Sequence, residues 1–464
     1  MDDKQQTYYS LRKQYPVFEY VAYHYESTSE GLRVRFDFRM GDVEFHPTAL
    51  VERRPFLDFG VDGLDRIVFN IGMVELVSYW KCACPPVVKV LCGTLTDRQA
   101  AFWKKLYWNG LGEFYYTNGI EETPDTFMEV ESGTRRVESG LTPADACVAK
   151  PSTPRSPLST YLVPIGGGKD SVVTLELLRR AGKAVRPLIM NPRGATTECA
   201  RVAGYAMDEV LVIRRTIDPA LLALNAKGYL NGHTPFSAML AFYTLLASAL
   251  GGLPNVALSN ESSANESTVK GSYVNHQYSK SLEFEDDFRK YVNEELGIEN
   301  GAFNYFSFLR PLSELQIAML FSRFAPYHDV FRSCNAGSKQ DIWCGHCAKC
   351  LFAYIILSPF MEPARLNAIF GKPMLDDESL RPEFEQLVGK AETKPFECVG
   401  TVDEVNTALS MTTERWYRGA RPRLLAGYEP LPPAARMSLR GLLPEGNLSV
   451  EESNILTQCI ENNS

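Results

Sequence analysis

The stretch TYLVPIGGGKDSVVTLELLRRAG, residues 160–182, decides how the rest of the chain is interpreted. It starts with a short β-prone run, continues through three consecutive glycines, and ends in an apolar helical pattern that Gly182 closes. A glycine-rich turn between a strand and a helix is typical of phosphate binding, because the backbone N–H groups at a helix N-terminus attract anions. The stretch therefore predicts a phosphate site within an α/β fold.

Three phosphate-binding motifs place different demands on this turn. A Walker A loop needs G-x-x-x-x-G-K-[ST], but here an aspartate follows the lysine and the earlier glycine is missing. A dinucleotide fingerprint needs G-x-G-x-x-G, but a serine occupies the last position. The turn instead resembles the S-G-G-x-D-S loop of the N-type ATP pyrophosphatases, with a glycine in place of the first serine. The residues concerned are Gly166, Gly167, Gly168, Lys169, Asp170 and Ser171.

The chemistry of these residues suits a pyrophosphate group. Glycines permit positive φ and bring the backbone close to an anion, and Lys169 adds a cation. Asp170 is a poor neighbour for phosphate unless a metal ion lies between them, so we interpret it as a magnesium ligand. The alternative is a plain strand-to-helix turn with Asp170 as the helix N-cap. The resemblance implies that ATP is split between its α and β phosphates and that a substrate oxygen is adenylated.

The segments that follow the glycine turn alternate between strand and helix. Strands are predicted at AVRPLIM, EVLVIRR and NVALSN, which predicts an α/β fold with a parallel sheet covered by helices. The resemblance implies the adenine nucleotide alpha hydrolase-like, Rossmann-like form of that fold. A smaller α+β domain is predicted for residues 1–150, in which FRMGDVEF is typical of a hairpin around Gly41 and Asp42. Residues 151–464 are predicted to form the ATP-binding domain, with a cysteine cluster at 334–350 and a C-terminal helical region.

Composition narrows the class of protein. A net charge of −8 over 464 residues gives no general electrostatic reason to bind nucleic acid. Eleven cysteines, an odd number, together with a polar N-terminal stretch indicate reduced thiols, so we expect a cytoplasmic protein. The longest apolar run, residues 236–253, is a candidate transmembrane helix. We interpret it as a buried core helix, because Ser, Thr and Tyr interrupt it and no basic residues flank it.

A second motif, SCNAGSKQDIWCGHCAKCLF, brings four cysteines into a short segment. Two interlocked C-x-x-C turns and a fourth thiol upstream suit tetrahedral coordination, and zinc is the natural occupant in a reducing compartment. A closed set of four thiolates leaves no open coordination position, so the predicted role is structural. Free buried cysteines and an iron–sulfur cluster are the alternatives, and His346 is expected to face solvent. The predicted ligands are Cys334, Cys344, Cys347 and Cys350.

A third signal is the polar segment LSNESSANESTVKGSYVNHQYSKSLEFED, residues 258–286. It starts at the end of a predicted strand, where ligands bind in parallel α/β sheets. A surface loop is the default interpretation, but histidine, tyrosine and lysine between apolar breaks favour an active site. His276 and Lys280 are the first candidates for proton transfer, and Tyr278 is the third.

The motifs GGGKDS, NESSANE, NHQYSKSLEFE and WCGHCAKCLF together resemble the ATP-dependent UDP-N-acetyl-α-D-muramoyl-L-alanyl-L-glutamate epimerases of peptidoglycan synthesis. The resemblance implies inversion of the terminal L-glutamate of UDP-MurNAc-L-Ala-L-Glu, with ATP and magnesium as cofactors and a role in cell-wall biogenesis and cell shape. Adenylation removes the carboxylate charge and makes the α-proton more acidic, and an acid–base pair then inverts the centre.

Two other functions stay open at this stage. The cysteine cluster is similar to one in the 7-cyano-7-deazaguanine synthases, so a pyrophosphatase-type ligase or thiolation enzyme acting on a nucleobase is the runner-up. A non-catalytic nucleotide-binding module is the third, and the lysine, aspartate and serine of the glycine turn argue against it.

Overall fold

The computed structural model describes residues 3–133, 160–272, 274–299 and 301–461. The chain divides into two compact units, each assembled from three stretches of sequence. Unit 1 comprises Met1–Leu162, Leu211–Val256 and Val274–Asn304, and unit 2 comprises Val163–Val210, Ala257–Tyr273 and Tyr305–Ser464. The domain boundary predicted between residues 150 and 151 lies outside the described residues and stays a prediction.

Strands and helices are numbered here in chain order within the described residues. The strands are β1 (Val17–Ser27), β2 (Gly31–Met40), β3 (Val43–Phe45), β4 (Thr48–Glu52), β5 (Val87–Val90), β6 (Glu129–Ser132), β7 (Tyr161–Pro164), β8 (Val185–Met190), β9 (Leu211–Arg215), β10 (Asn255–Leu258) and β11 (Asn304–Ser307). The helices are α1 (Asp3–Gln14), α2 (Leu64–Trp80), α3 (Asp97–Gly110), α4 (Gly112–Thr117), α5 (Lys169–Arg180), α6 (Gly194–Val202), α7 (Pro219–Ala226), α8 (Phe236–Gly251), α9 (Leu282–Glu294), α10 (Glu314–Phe321), α11 (Ala348–Leu357), α12 (Pro363–Phe370), α13 (Arg381–Leu387), α14 (Val402–Trp416) and α15 (Val450–Glu461).

Unit 1 contains a mixed sheet with the strand order β9-β4-β2-β1-β5-β6. The pairs from β9 to β1 are antiparallel, and β5 runs parallel to both β1 and β6. The predicted hairpin is confirmed, since β3 pairs antiparallel with β2 and Gly41 takes a positive φ of 62° at the turn. The predicted parallel sheet is not continued where β9 pairs antiparallel with β4, because β4 comes from a distant part of the chain and local sequence does not encode that pairing.

Helices α2 and α8 of unit 1 pack against each other. Glu75 of α2 is buried and forms an ion pair with Arg215 at the end of β9, with Nε and Oε1 2.5 Å apart. The hydroxyl of Tyr243 on α8 donates to the same carboxylate at 3.0 Å. Helix α8 is therefore a core helix, as predicted, and no helix among the described residues has the length and apolarity to cross a bilayer.

Unit 2 contains β8 and the carboxyl-terminal parts of β7, β10 and β11. The order of these strands is β11-β10-β7-β8, and β10 and β7 pair in parallel. Helix α5 follows β7, α6 follows β8, and α10 packs against α5. The chain is therefore α/β with a mixed sheet and helices, which is compatible with a Rossmann-like fold. The glycine turn lies at the carboxyl end of β7, where ligands of such sheets bind.

Candidate active site

The glycine turn connects β7 to α5 in unit 2. Gly168 is the helix N-cap, with an extended backbone at φ −90° and ψ 171°, and α5 begins at Lys169. The interpretation of Asp170 as the N-cap is therefore wrong, since this residue lies inside the first helical turn. Gly167 has a φ of 81°, a conformation that favours glycine. Helix α5 therefore begins directly after the turn at the carboxyl end of β7, and a helix N-terminus in that place can bind an anion.

Two arginines hold the carbonyl groups of this turn. The backbone N–H of Arg332 donates to the Gly167 oxygen at 2.7 Å, and Nη2 of Arg193 donates to the Gly166 oxygen at 3.1 Å. Within α5, the hydroxyl of Ser171 donates to the Gly168 oxygen at 3.0 Å. These contacts use carbonyl oxygens of the turn, and none of them uses its N–H groups.

Lys169 and Asp170 belong to a buried cluster of charges. The Lys169 ammonium contacts the carboxylates of Asp170 and Glu314 and is 4% exposed. Burial disfavours the charged form, but the two carboxylates outweigh it and hold the pKa of Lys169 above its ordinary value. Burial raises the pKa of the Glu314 carboxyl. The carboxylates of Asp170 and Glu314 are the ligand type that magnesium prefers.

Glu314 was absent from the sequence candidates. It is the first residue of α10, and its backbone N–H donates to Oε1 of Glu404 at 2.7 Å. Burial raises the pKa of Glu404 as well. The sequence around Glu314 shows an ordinary helix start, capped by Ser313, so no local signal distinguishes this glutamate from a solvent-exposed one.

The four predicted cysteines lie together in unit 2. Sulfur–sulfur distances are 3.9 Å for Cys334 and Cys347, 3.7 Å for Cys344 and Cys350, and 3.5 Å for Cys347 and Cys350. The backbone N–H of Gly337 donates to the Cys334 sulfur at 3.1 Å, as in metal-binding knuckles. The four sulfur atoms lie within 4.8 Å of one another, a spacing that fits a single metal ion.

Two properties of the cysteine cluster bear on its chemistry. Hydrogen bonding to Cys350 and other neighbouring thiols lowers the pKa of Cys347, which favours its thiolate form. His346 is exposed, as expected, and its Nδ1 lies 3.0 Å from the carbonyl oxygen of Cys344. The donor set is therefore four sulfur atoms without an imidazole.

The segment around the cysteines also touches the glycine turn. Arg332, two residues before Cys334, makes the hydrogen bond to Gly167. Asp341 accepts a hydrogen bond from the backbone N–H of Ala195 at the start of α6, at 2.9 Å. A Cβ built at Gly194 would lie 2.2 Å from that carboxylate, so a larger residue there would force the Asp341 side chain to shift. The chain segment that carries the cysteines therefore contacts both the glycine turn and the start of α6.

The polar segment 258–286 is divided between the two units, with the break at residues 273 and 274. Its first half belongs to unit 2, where Glu261 is buried and its carbonyl oxygen accepts from Nη1 of Arg310 at 2.7 Å. Its second half belongs to unit 1 and carries His276, Tyr278 and Lys280. The segment that looked continuous in sequence therefore supplies side chains to two different compact units.

His276 forms a cluster with Glu113 and His233 in unit 1. Its Nδ1 contacts Oε2 of Glu113, and Nδ1 of His233 lies 3.6 Å from the same oxygen. The two imidazole rings are 4.4 Å apart, centroid to centroid, and tilted by 50°. The exposed fraction of the side chain is 10% for His276, 16% for Glu113 and 20% for His233, so the cluster is largely buried but still reached by solvent.

Lys81 and Lys280 add positive charge to this cluster. Burial lowers the pKa of His233 well below 6.5, and His276, Lys81 and Lys280 lower it further by charge repulsion. Burial also lowers the pKa of Lys81 to about 8. The Lys81 ammonium donates to the carbonyl oxygens of Gly232 and His233. Lys280 therefore lies in the electrostatic surroundings of His233, and its role in proton transfer stays a prediction.

Tyr278 has a different environment. It is buried, its hydroxyl is hydrogen bonded to Asn109, and Lys105 and Asp287 lie nearby. Burial raises the pKa of the hydroxyl, which keeps it protonated at neutral pH. Its role in proton transfer stays a prediction.

Glu113 and His233 were missed by the sequence analysis. Glu113 lies in α4, within GLGEFYYTNG, and His233 lies in NGHTPF before α8. The sequence separations from His276 are 163 and 43 residues by subtraction of the numbers, and neither stretch has a catalytic motif. A rare histidine, one of six, is the only local signal.

Comparison with known proteins gives a consistent result over most of the chain. The family model of the MurL N-terminal domain matches residues 9–308, and that of the MurL C-terminal domain matches residues 330–432. A protein from Salinispora tropica named UDP-N-acetyl-alpha-D-muramoyl-L-alanyl-L-glutamate epimerase is 37% identical, covering 86% of this chain and 85% of the relative. Proteins with the same name from a Micromonospora species and Xanthomonas oryzae are 36% and 33% identical, each covering 87% of the relative and 86% or 87% of this chain.

Proposed function

The chain belongs to the MurL family, and on that premise we propose that it inverts the terminal L-glutamate of UDP-MurNAc-L-Ala-L-Glu to D-glutamate. The observation that carries the proposal is the shared name of relatives that are 33–37% identical over nearly the whole chain. The product would enter peptidoglycan synthesis, and we propose a cytoplasmic, ATP-dependent isomerase that forms AMP.

The chemistry explains why such an enzyme would use ATP. A carboxylate resists loss of its α-proton, because the carbanion would carry a second negative charge. Transfer of AMP to the α-carboxylate removes the first charge and releases pyrophosphate, and water later releases AMP. The glycine turn from Gly166 to Ser171 would hold the phosphates, and magnesium would neutralise them when bound by Asp170 and Glu314.

We assign the proton transfer to His276 and Lys280, with Tyr278 as the further candidate. His276 suits the role because it is partly exposed and contacts a carboxylate that orients its ring. Lys280 adds a positive charge that would stabilise the enolate-like intermediate. Remote contacts with the nucleotide and sugar would supply the binding energy that positions the glutamate.

The four cysteines are assigned a structural role. A tetrahedral zinc ion bound by four thiolates would stabilise the segment that contacts the glycine turn, and it would leave no open position for catalysis. An iron–sulfur cluster is the alternative occupant.

Heavy water gives the decisive experiment. With ATP, magnesium and the UDP-muramoyl dipeptide, we expect D-glutamate that carries deuterium at Cα, together with AMP and pyrophosphate. Free L-glutamate is the control substrate and should react poorly. Inversion without AMP would contradict the adenylation step while leaving the epimerase function intact.

A pyrophosphatase-type ligase or nucleobase thiolation enzyme is the second candidate, because the four-cysteine cluster is compatible with that class. It predicts AMP formation with a nucleobase acceptor and no deuterium in glutamate, so the same mass-spectrometric measurement separates the two functions.

A further inference from the structure

We propose that Glu113, His233 and His276 form one proton-transfer site that acts on a single face of the substrate Cα, with His276 as the catalytic residue and Glu113 and His233 as positioning residues. This inference rests on the proposed epimerase function and adds Glu113 and His233, which the sequence motifs do not include.

The first step of the argument is the position of the Glu113 carboxylate. One of its oxygens contacts Nδ1 of His276 and lies 3.6 Å from Nδ1 of His233. When the imidazole of His276 is neutral, its Nδ1–H donates to Glu113 and its lone pair is on Nε2. The carboxylate therefore selects the tautomer in which Nε2 can accept a proton, as an aspartate does in a serine-protease triad.

The second step concerns the distance between the two imidazoles. Atoms in van der Waals contact are about 3.5–4.0 Å apart, so a carbon atom between two rings would need a ring separation of about 7–8 Å. The rings of His233 and His276 are 4.4 Å apart. A substrate Cα therefore does not fit between them, and the two histidines cannot serve opposite faces. The proton on the other face must come from a second group, for which Lys280 is the candidate.

The third step is the fixation of His233. Its backbone carbonyl accepts from Lys81 at 3.2 Å, and the same ammonium donates to Thr234 Oγ1 at 2.5 Å. His233 is therefore anchored on both its backbone and its neighbour, while its ring lies against that of His276. A neutral His233 would limit rotation of the catalytic ring without adding a like charge.

The balance of the step is simple. The Cα–H bond of the acyl adenylate breaks, an Nε2–H bond forms on His276, and the bonding electron pair moves into the enolate. Lys280 donates a proton from the opposite face and restores the Cα–H bond; His276 then loses its proton to solvent, and Lys280 takes one up from solvent. No oxidant or reductant is needed, and the positive charges of Lys81 and Lys280 stabilise the enolate.

The same three side chains are close enough to hold a metal ion instead. The surrounding charges favour the proton-transfer assignment, because Lys81 and Lys280 both repel a cation and attract the negative charge of an enolate. Measurement of metal content therefore belongs to the test.

The test compares Glu113→Gln, Glu113→Asp and His276→Gln with wild type and with Glu121→Gln, a control at an exposed glutamate of unit 1. Single-turnover pyrophosphate formation reports adenylation, and deuterium entry at Cα reports proton transfer. We expect Glu113→Gln to slow deuterium entry about 10²–10⁴-fold with little change in pyrophosphate formation or KM. Glu113→Asp should recover part of the rate of deuterium entry. In Glu113→Gln, the acid limb of the pH–rate profile should move to lower pH, because the lost carboxylate favours the protonated imidazole of His276.

Each other outcome overturns the inference. An equal loss of pyrophosphate formation and deuterium entry would indicate a merely structural role for Glu113, and an unchanged exchange rate would indicate no role. If Glu113→Gln lacks one transition-metal ion that the wild type binds, and if that metal restores the activity of metal-depleted wild type, the three side chains form a metal site. Wild-type protein that forms no D-glutamate would overturn the proposed function itself, whereas wild-type activity with an unaffected Glu113→Gln variant would overturn this inference alone.

Discussion

Replacement of Gly167 by alanine tests the glycine turn more sharply than replacement of a charged residue. Gly167 has a φ of 81°, and a Cβ there would lie 2.9 Å from the Ala195 Cβ and 3.1 Å from the Thr196 nitrogen. Gly166 has no atom within 4 Å of a built Cβ, and Gly168 has only the Ser333 Cβ at 3.3 Å. The three adjacent glycines therefore form a graded series with an internal control.

The expected cost follows from these contacts. A non-glycine residue in the left-handed region costs about 1–2 kcal/mol, and forcing a methyl group into packed backbone costs about 1–3 kcal/mol. Gly167→Ala should therefore destabilise the turn by about 2–5 kcal/mol, which is a loss on the order of 30- to 4,000-fold in the population of its native conformation. Gly166→Ala should cost less than about 1 kcal/mol, because alanine reduces the entropy of the unfolded chain at compatible positions.

ATP affinity by calorimetry and the rate of pyrophosphate release are the appropriate assays. We expect both to fall in the order Gly166→Ala, Gly168→Ala, Gly167→Ala, with the last variant reduced at least tenfold more than the first. Circular dichroism controls for loss of the fold. If Gly167→Ala binds ATP as tightly as Gly166→Ala, the turn is not the nucleotide site in the conformation described here.

Three further predictions concern the charged and metal-binding groups. Lys169→Met leaves the Glu314 carboxylate buried without its cation and should lower the free energy of unfolding in urea by about 3–5 kcal/mol. The double variant Lys169→Met/Glu314→Gln should recover most of that stability but not pyrophosphate release. Additive losses of stability in the double variant would contradict the ion pair. Cys344→Ser should remove one equivalent of bound zinc and weaken ATP binding, whereas the control Cys459→Ser, outside the cluster, should do neither. Metal analysis that finds no zinc or iron in the wild-type protein would exclude the metal site. Because the pKa of His233 is lowered in the folded state, the unfolded chain binds more protons, and stability should decline by up to about 1.4 kcal/mol per pH unit as pH falls below 6.5. His233→Gln should flatten this dependence when urea unfolding is measured at pH 5–7. An unchanged slope in that variant would refute the assignment.

Features of the candidate site that are contiguous in sequence were predictable, whereas residues that are far apart in sequence were not. The glycine turn was predictable because its strand, glycines and helix are contiguous, and the four cysteines were predictable because their ligand spacing is short. His276 was named from its polar surroundings alone. Glu113, His233 and Glu314 were not predictable, since each stands in an ordinary local sequence and becomes a neighbour of the candidate residues only after folding.

The same distinction applies to the fold. Hydrophobic periodicity and turn residues by themselves determined the strand–helix alternation after residue 160, the β2–β3 hairpin and the buried helix α8, because each depends on interactions over a few residues. Only the tertiary structure decided that β9 pairs antiparallel with β4 and that the polar segment 258–286 is shared between two compact units. It also decided which carboxylate orients His276. Such pairings depend on the free energy of the whole packed chain, so no short stretch of sequence contains them.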